Sequence, residues 1–340
     1  MKQLFHISAS PHVKNVDSVP KIMYTVILAL VPAGIGAFYF FGIRALTVIT
    51  VAAAAALITE LILQMAMKRP IRVTDGSAIL TGILVAYNVP AEIPLWIPVV
   101  GSIVGIGIGK MTFGGLGYNP LNPALVGRAF MMASWPQHMT VFTTSPTGGT
   151  LSGIDSITSA TPLNVFKASK DILANNAEYS AEKIAQAERS ITELYNSGSD
   201  LFLGKVGGCI GETSALLLLI GGLFLMYKRI IGWKIPFSYI FTVIILSWIF
   251  GGTDGLFSGN PLFHTLSGGL MLGAFFMATD MVTTPITFKG RLLFGTGCGI
   301  LTVVIRLWGG YPEGVSYSIL LMNLTTPLID RYTKPKVLGG

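Results

Sequence analysis

Long apolar stretches broken by short polar links run through most of the 340 residues. A hydrocarbon core about 30 Å thick takes roughly 20 apolar residues per crossing, and fewer where a helix is broken. Measured that way, the pattern predicts helices over 22–41, 45–67, 77–89, 95–113 and 120–135, and a second set over 214–226, 235–250, 262–278, 292–307 and 315–329. The stretch 136–211 between the sets is polar. Within it, Ile184, Ile191, Leu194 and Tyr195 recur at helical spacing among charges, which predicts an amphipathic helix lying on the membrane body or on a partner. The expected organisation is a first membrane half (1–135), a loop region (136–211), a second half (212–330) and a tail (331–340).

Composition sharpens this into an all-α polytopic membrane protein. Mean hydropathy is +0.66 and only 11% of residues are charged, against about a quarter in soluble domains. The net charge of +7 would suit nucleic acid, but its carriers flank apolar segments. Lys2, Lys14 and Lys21 precede the first span; Lys68, Arg69 and Arg72 follow the second; Lys228, Arg229 and Lys234 follow the sixth; Lys289 and Arg291 follow the eighth; Arg331, Lys334 and Lys336 follow the tenth. The alternate links carry Glu92, Asp254 and Glu313, and Arg44 is the one exception. With about ten spans every basic cluster falls on one side, expected to be cytoplasmic, so both termini lie inside and 136–211 outside. Orientation in a bilayer explains the charge, and no nucleic-acid partner is expected. The start of the chain shows no apolar run with a cleavage site, so no removable signal peptide is expected. Cys209, Cys298 and the four histidines have no metal-ligand spacing.

The halves echo each other. "VTDGSAILTGILVA" is answered by "GTDGLF" and "SGGLMLGAFFMATD", and "FGGLGYNP" by "WGGYPEGV". Five spans per half invert the second copy, and an inverted repeat with Gly/Pro-broken third, fifth, eighth and tenth spans is a transporter pattern whose site lies at the breaks.

The hydroxyl-rich "DSITSATPLNVF" stands out in the polar region. On local physics Thr161 is an N-cap and Pro162 the first helical residue. A helix N-terminus also favours a phosphate, and a Thr oxygen there suits an esterified one. Both readings remain open on the residues alone.

The run Asp155, Thr158, Ser159, Ala160, Thr161 resembles the D-x-x-[ST]-G-A-T signal at which a flavin transferase esterifies FMN to threonine, departing at Ser159, where Gly is usual. With "SPH", "SVPKIM", "TDGSAILTGILVA", "GGLGYNPLNPALVGRAFMM", "ATDMVTTP" and "GGYPEGVSYSILLMN", the chain is similar over nearly its whole length to the RnfD/NqrB family of ion-translocating electron-transport complexes, on the RnfD side because its N-terminal segment is short. The resemblance implies a ten-helix, urea-transporter-like inverted-repeat fold and covalent FMN on Thr161, with Asp155, Thr158, Ser159 and Ala160 serving recognition or the turn. It also implies a noncovalent riboflavin, which no residue locates. The family's transferase works on the outer side of the cytoplasmic membrane of bacteria or archaea, where the charge pattern also puts Thr161.

Ionisable residues at membrane depth are costly and commonly functional. Arg128, inside an apolar run, is expected to be buried on a carbonyl cluster or a flavin. Asp75, Asn119, Asn122 and Asp254 are expected to line a cation or flavin pocket near the broken helices. Lys110 and Arg306, near span ends, are expected to snorkel to the interface. The glycines of "FGGLG" lack a phosphate loop's preceding strand and following lysine, and are expected to allow close packing or an unwound turn.

The expected function is a membrane subunit relaying electrons between ferredoxin and NAD sides through FMN, coupled to Na⁺ or H⁺ movement, among iron–sulfur and flavin subunits of an Rnf complex. The rival reading is a standalone channel or transporter for a small solute. Only the flavin signal separates the two.

Overall fold

The computed structural model describes residues 18–144, 157–253, 255–311 and 313–334. It is helical apart from one small strand pair, and helix occupies all or part of each of the ten apolar stretches.

Helix α1 (Val19–Phe41) begins on Ser18, whose hydroxyl accepts from the Lys21 amide, and ends at Gly42, whose φ of 64° lets the chain turn directly into α2 (Ile43–Ala66). After a short 3₁₀ turn, α3 (Ser77–Tyr87) is half a span long. Helix α4 (Trp96–Val104) continues as a π turn over Gly105–Met111. The next link holds Gly114, Gly115 and Gly117, all at positive φ. This is the unwound turn expected of "FGGLG", a conformation open to glycine at little cost. Asn122 then caps α5 (Pro123–Ser134), accepting from the amides of Ala124 and Leu125.

The polar region contains more structure than a loop. A short α6 (Pro136–Thr140) leads to β1 (Phe142–Thr144), which pairs antiparallel with β2 (Ile157–Ser159), Phe142 facing Ser159 and Thr143 facing Thr158. Then come α7 (Pro162–Ala174), α8 (Ala181–Asn196) and α9 (Gly198–Leu203). Helix α8 is the amphipathic helix expected from its spacing. Its buried Ala187 and Ile191 face the body, and Ile191 joins Leu163, Phe166, Leu201 and Phe263 in a separate apolar cluster.

The second half holds α10 (Ala215–Tyr227), α11 (Lys234–Phe250), α12 (Pro261–Leu266), α13 (Leu270–Leu272) with a π turn over Gly273–Met277, α14 (Phe288–Trp308) and α15 (Val315–Tyr332). The stretch expected as one span at 262–278 is therefore broken at Ser267, Gly268 and Gly269, with Gly268 at φ +66°.

Among the described residues, α1, α2 and α14 are long and apolar enough to cross a membrane, and α3, α4 with its π turn, α10 and α11 are shorter apolar helices. Leu28, Ile35, Ile58, Ile62, Phe241, Leu293 and Leu328 lie exposed on the flanks. So much exposed apolar helix surface needs lipid around it. The chain is a multi-pass membrane protein.

Close backbone approach holds the centre together. A Cβ on Gly127 would stand 2.3 Å from the Gly101 carbonyl oxygen, and one on Gly82 would stand 2.5 Å from the Ala53 Cα. Only glycine lets α5 meet α4, and α3 meet α2, this closely.

Candidate functional site

Thr161 occupies the N-cap of α7 with extended backbone (φ −63°, ψ 153°), and its Oγ1 accepts from the Asn164 amide at 3.2 Å. Pro162 follows as the first helical residue. The local capping reading is thus met in full, and Thr161 is buried, 5% exposed. Ala160 is exposed beside it, and Thr158 and Ser159 lie in β2. Asp155 lies outside the described residues.

Two hollows flank this corner. One is a small cavity lined by Thr161, Gly208, Glu212, Gly268 and Glu313. The other is an open groove of about 720 Å³ lined by Thr140, Ala160, Asn164, Gly310 and Tyr311.

Behind the small cavity sits Arg128. It is buried as expected, but its guanidinium meets two carboxylates rather than carbonyls. Nη1 donates to Glu212 at 3.1 Å and to Asn88 Oδ1 at 2.5 Å, and Nη2 pairs with Glu313. The backbone explains how residues so far apart in sequence converge. The amides of Ile210 and Gly211 bond the carbonyls of Val89 and Tyr87, both at 3.0 Å, which lays the chain before α10 along the end of α3 and sets Glu212 near Asn88. A Cβ on Gly211 would come within 2.3 Å of the Tyr87 Cβ, so that approach needs glycine. Burial first, then the Glu313 charge, push the Glu212 carboxyl up to about 7, against the pull of Arg128 and its hydrogen bond. Burial pushes the Cys209 thiol up as well.

The carbonyl cluster belongs instead to Arg306. Its Nε, Nη1 and Nη2 donate to the main-chain oxygens of Glu313 (3.1 Å), His264 (2.5 Å) and Ser267 (3.1 Å). That is a correction to the snorkelling expectation, since Arg306 is 5% exposed. It is needed where it is, because the break between α12 and α13 frees carbonyls that only a multi-donor side chain can satisfy.

Lys110 is the second correction. It is 1% exposed, and its Nζ donates to both carboxylate oxygens of Glu60 (2.8 and 2.7 Å) and to Ser77 Oγ (2.6 Å). Gln64 adds a bond to Glu60 at 2.9 Å. Asp75, one residue before the Gly76 N-cap of α3, accepts from the Ser77 amide at 2.8 Å and from its hydroxyl at 2.5 Å.

Asn119 and Asn122 do share a cavity, of about 90 Å³, with Ser77, Lys110, Phe275 and Phe276. Asn119 Oδ1 is buried without a partner there. Asp75 reaches this cavity only through Ser77, and Asp254 lies outside the described residues. The cavity connects back to the Arg128 cluster through Met277. Asn122 Nδ2 donates to the Met277 carbonyl at 3.3 Å, and Asn88 Nδ2 approaches the Met277 sulfur at 3.7 Å.

Compared with known proteins, residues 6–339 match the model of the NQR2, RnfD, RnfE family. The chain belongs to that family. It is 49% identical over 338 residues to the D component of the proton-translocating ferredoxin:NAD(+) oxidoreductase complex of Clostridium ljungdahlii, covering 99% of this chain and 97% of that protein. It is 46% identical over 335 residues to the D component of the Na(+)-translocating ferredoxin:NAD(+) oxidoreductase complex of Acetobacterium woodii, covering 98% and 95%. The D component of the ion-translocating oxidoreductase complex of Stutzerimonas stutzeri is 39% identical over 340 residues, covering 95% and 93%.

Reasoning from sequence missed Glu212, Asn88 and the pairing of Glu60 with Lys110. Glu212 sits in "GCIGETS", where no periodicity or motif marks it. Glu60 had a usable signal, a carboxylate in the middle of an apolar span.

Proposed function

We propose that this chain is the D component of an Rnf-type ion-translocating ferredoxin:NAD oxidoreductase complex and carries FMN esterified to Thr161. The observation that carries the reading is the place of Thr161. It closes the D-x-x-T-S-A-T run and heads a 13-residue helix in a chain similar along its length to D components of such complexes. When bound, FMN supplies one- and two-electron transfer.

The residues around Thr161 suit that group. Thr161 Oγ1 would be the ester oxygen and could still accept from the Asn164 amide. The free N–H groups opening α7 favour a phosphate. The groove beside Ala160, Asn164 and Tyr311 is of the size of cofactor sites. On the opposite side the cavity walled by Glu212 and Glu313 is only about 20 Å³, which leaves the groove for the group. Because Thr161 is buried, attachment by a flavin transferase requires the β2–α7 corner to open.

The cavity of Asn119 and Asn122, about 90 Å³, falls well short of the roughly 300–1,000 Å³ of cofactor sites, and its Lys110 and Ser77 donors are already committed, so it gives a noncovalent riboflavin no place as it stands.

The arrangement we favour is ten crossings in two inverted halves, 1–135 and 212–330, with both termini cytoplasmic and the 136–211 region on the outer side. Matching packing supports it: α1 lies on α10 and α5 on α15, while α2 with α4 parallels α11 with α14. Lys110 and Arg306 stand at equivalent places, near the ends of the fourth helix of each half, and each bonds its half's third span, Lys110 at the start of α3 and Arg306 at the break between α12 and α13. Two near-equal relatives are named for different ions, so similarity alone does not choose between Na⁺ and H⁺. The expected partners are the iron–sulfur and flavin subunits of the complex.

Mass spectrometry of the chain co-produced with a flavin transferase tests the assignment. The peptide holding Thr161 should carry the mass of FMN less water, and an unmodified peptide contradicts the reading.

A further inference from the structure

The cluster behind Thr161 has an unusual charge balance. Glu212 and Glu313 both bond one guanidinium, that of Arg128. Glu212 is 6% exposed, and its Oε2 meets no hydrogen-bond partner among the described residues. The Cys209 sulfur and one oxygen from each carboxylate lie within 4.8 Å of one another. Such a trio could hold a divalent ion, but Arg128 already occupies the space between the carboxylates with a positive charge.

The other charged and titratable groups facing the site bond elsewhere. Arg306 of α14 is within electrostatic range of both carboxylates, but it directs its donors to three carbonyls and forms no ion pair with either carboxylate among the described residues. His264 of α12 offers only its main-chain oxygen to Arg306, and its Nε2 is buried without a partner among the described residues. Asn88, following α3, is neutral. Two buried carboxylates this close, bonded to one guanidinium, do not both ionise at neutral pH.

We propose that Glu212 and Glu313 together hold one exchangeable proton, seated on Glu212, at the floor of the Thr161 cavity. Glu212 is the seat because its side chain is 2% exposed against 12% for Glu313, and because it has an oxygen without a partner among the described residues. The upward shift of its carboxyl agrees with this. Exchange runs toward the Thr161 side. Glu212 and Glu313 both line that cavity, and Glu313 with Arg128 also lines a second one beside Asn164 and Tyr311, whereas the route to the cavity of Asn119 and Asn122 passes through the amide of Asn88, Met277 and the amide of Asn122, none of which titrates. The site rests on the Arg128 cluster and not on what Thr161 carries. On the reading of Thr161 as the FMN anchor, it puts an exchangeable charge on the side of Thr161 opposite the groove that takes the cofactor.

The test is infrared titration of the full chain in lipid nanodiscs, produced with and without a flavin transferase, so that the result does not depend on the flavin. A protonated-carboxyl stretch should be present at about pH 6 and fade as the pH passes through neutrality. The component that fades should be missing from Glu212→Gln, while other buried carboxyls such as Asp280 keep theirs. In Glu313→Gln, which leaves Glu212 in place and removes its like-charged neighbour, the midpoint should fall by about one pH unit or more. Absence of the band from the folded wild-type chain would overturn the proposal, as would a midpoint unmoved by Glu313→Gln. A midpoint that falls when choline is replaced by Na⁺ at fixed ionic strength would also overturn it, making the site a cation site instead.

Discussion

Lys110 and Glu60 form a two-point ion pair, at 2.8 and 2.7 Å, with both side chains 2% exposed. Lys110 stands on the π turn that extends α4, and Glu60 is nearly two turns from the end of α2. Their attraction offsets the cost of taking two charges out of water only while both are present. Lys110→Ala leaves Glu60 buried without its cation and is expected to lower stability by about 3–5 kcal/mol. The double variant Lys110→Met with Glu60→Leu should recover most of that loss. Thermal unfolding of the purified chain in detergent checks both, and a double variant as unstable as the single one would show that the pair is not the cause.

Gly127 and Gly208 make a second comparison. Alanine at 127 drives a methyl into the Gly101 carbonyl oxygen at 2.3 Å, whereas nothing lies within 4 Å of a Cβ at 208. Gly127→Ala is expected to cost about 1–3 kcal/mol through overpacking and to disturb the adjacent Arg128 cluster. Gly208→Ala should be near neutral. Unfolding midpoints of the two variants read the difference, and equal losses would contradict the packing argument.

The carboxyl of Glu212 is raised from 4.5 to about 7 in the folded chain. Between those values the folded state keeps a proton that the unfolded state has lost, so this residue makes stability fall as pH rises across that window. Above the folded value its contribution is level. Other carboxylates can slope the opposite way, so the informative quantity is the difference between wild type and Glu212→Gln. Relative to Glu212→Gln, the wild type should lose stability from about pH 5 to about pH 7. A difference that is flat, or that grows in favour of wild type, contradicts the assignment.

Capping and attachment at Thr161 can be separated. Asparagine caps as well as threonine but has no hydroxyl to esterify. Thr161→Asn should therefore unfold within a few tenths of a kcal/mol of flavin-free wild type, and Thr161→Ala about 1 kcal/mol sooner. Equal stability of Ala and Asn variants would show that the Asn164 hydrogen bond contributes nothing.

What could be read from the sequence follows the range of the interactions. The Thr161 cap, the Asn122 cap and the positive-φ glycines of "FGGLG" are local, and their residue types mark them. Arg128 was legible as buried because a guanidinium inside an apolar run has few other places to go. Its partners were not, because Glu212 and Glu313 are 84 and 185 residues away and meet it only after the chain before α10 folds back on α3. Lys110 and Arg306 were misread for a related reason. A span end fits snorkelling equally well until a broken neighbouring helix or a buried carboxylate claims the charge. Helices that are apolar all round carry no periodicity to say which face is inward.

The central claim is that Thr161 holds FMN by a covalent bond, and flavin fluorescence of the denatured chain in a gel tests it most directly. Co-produced with a flavin transferase, wild type is expected to give a fluorescent band, and Thr161→Ala and Thr161→Asn are expected to give none at equal protein load. A band that survives in both Thr161 variants, or is missing from wild type, would contradict the account.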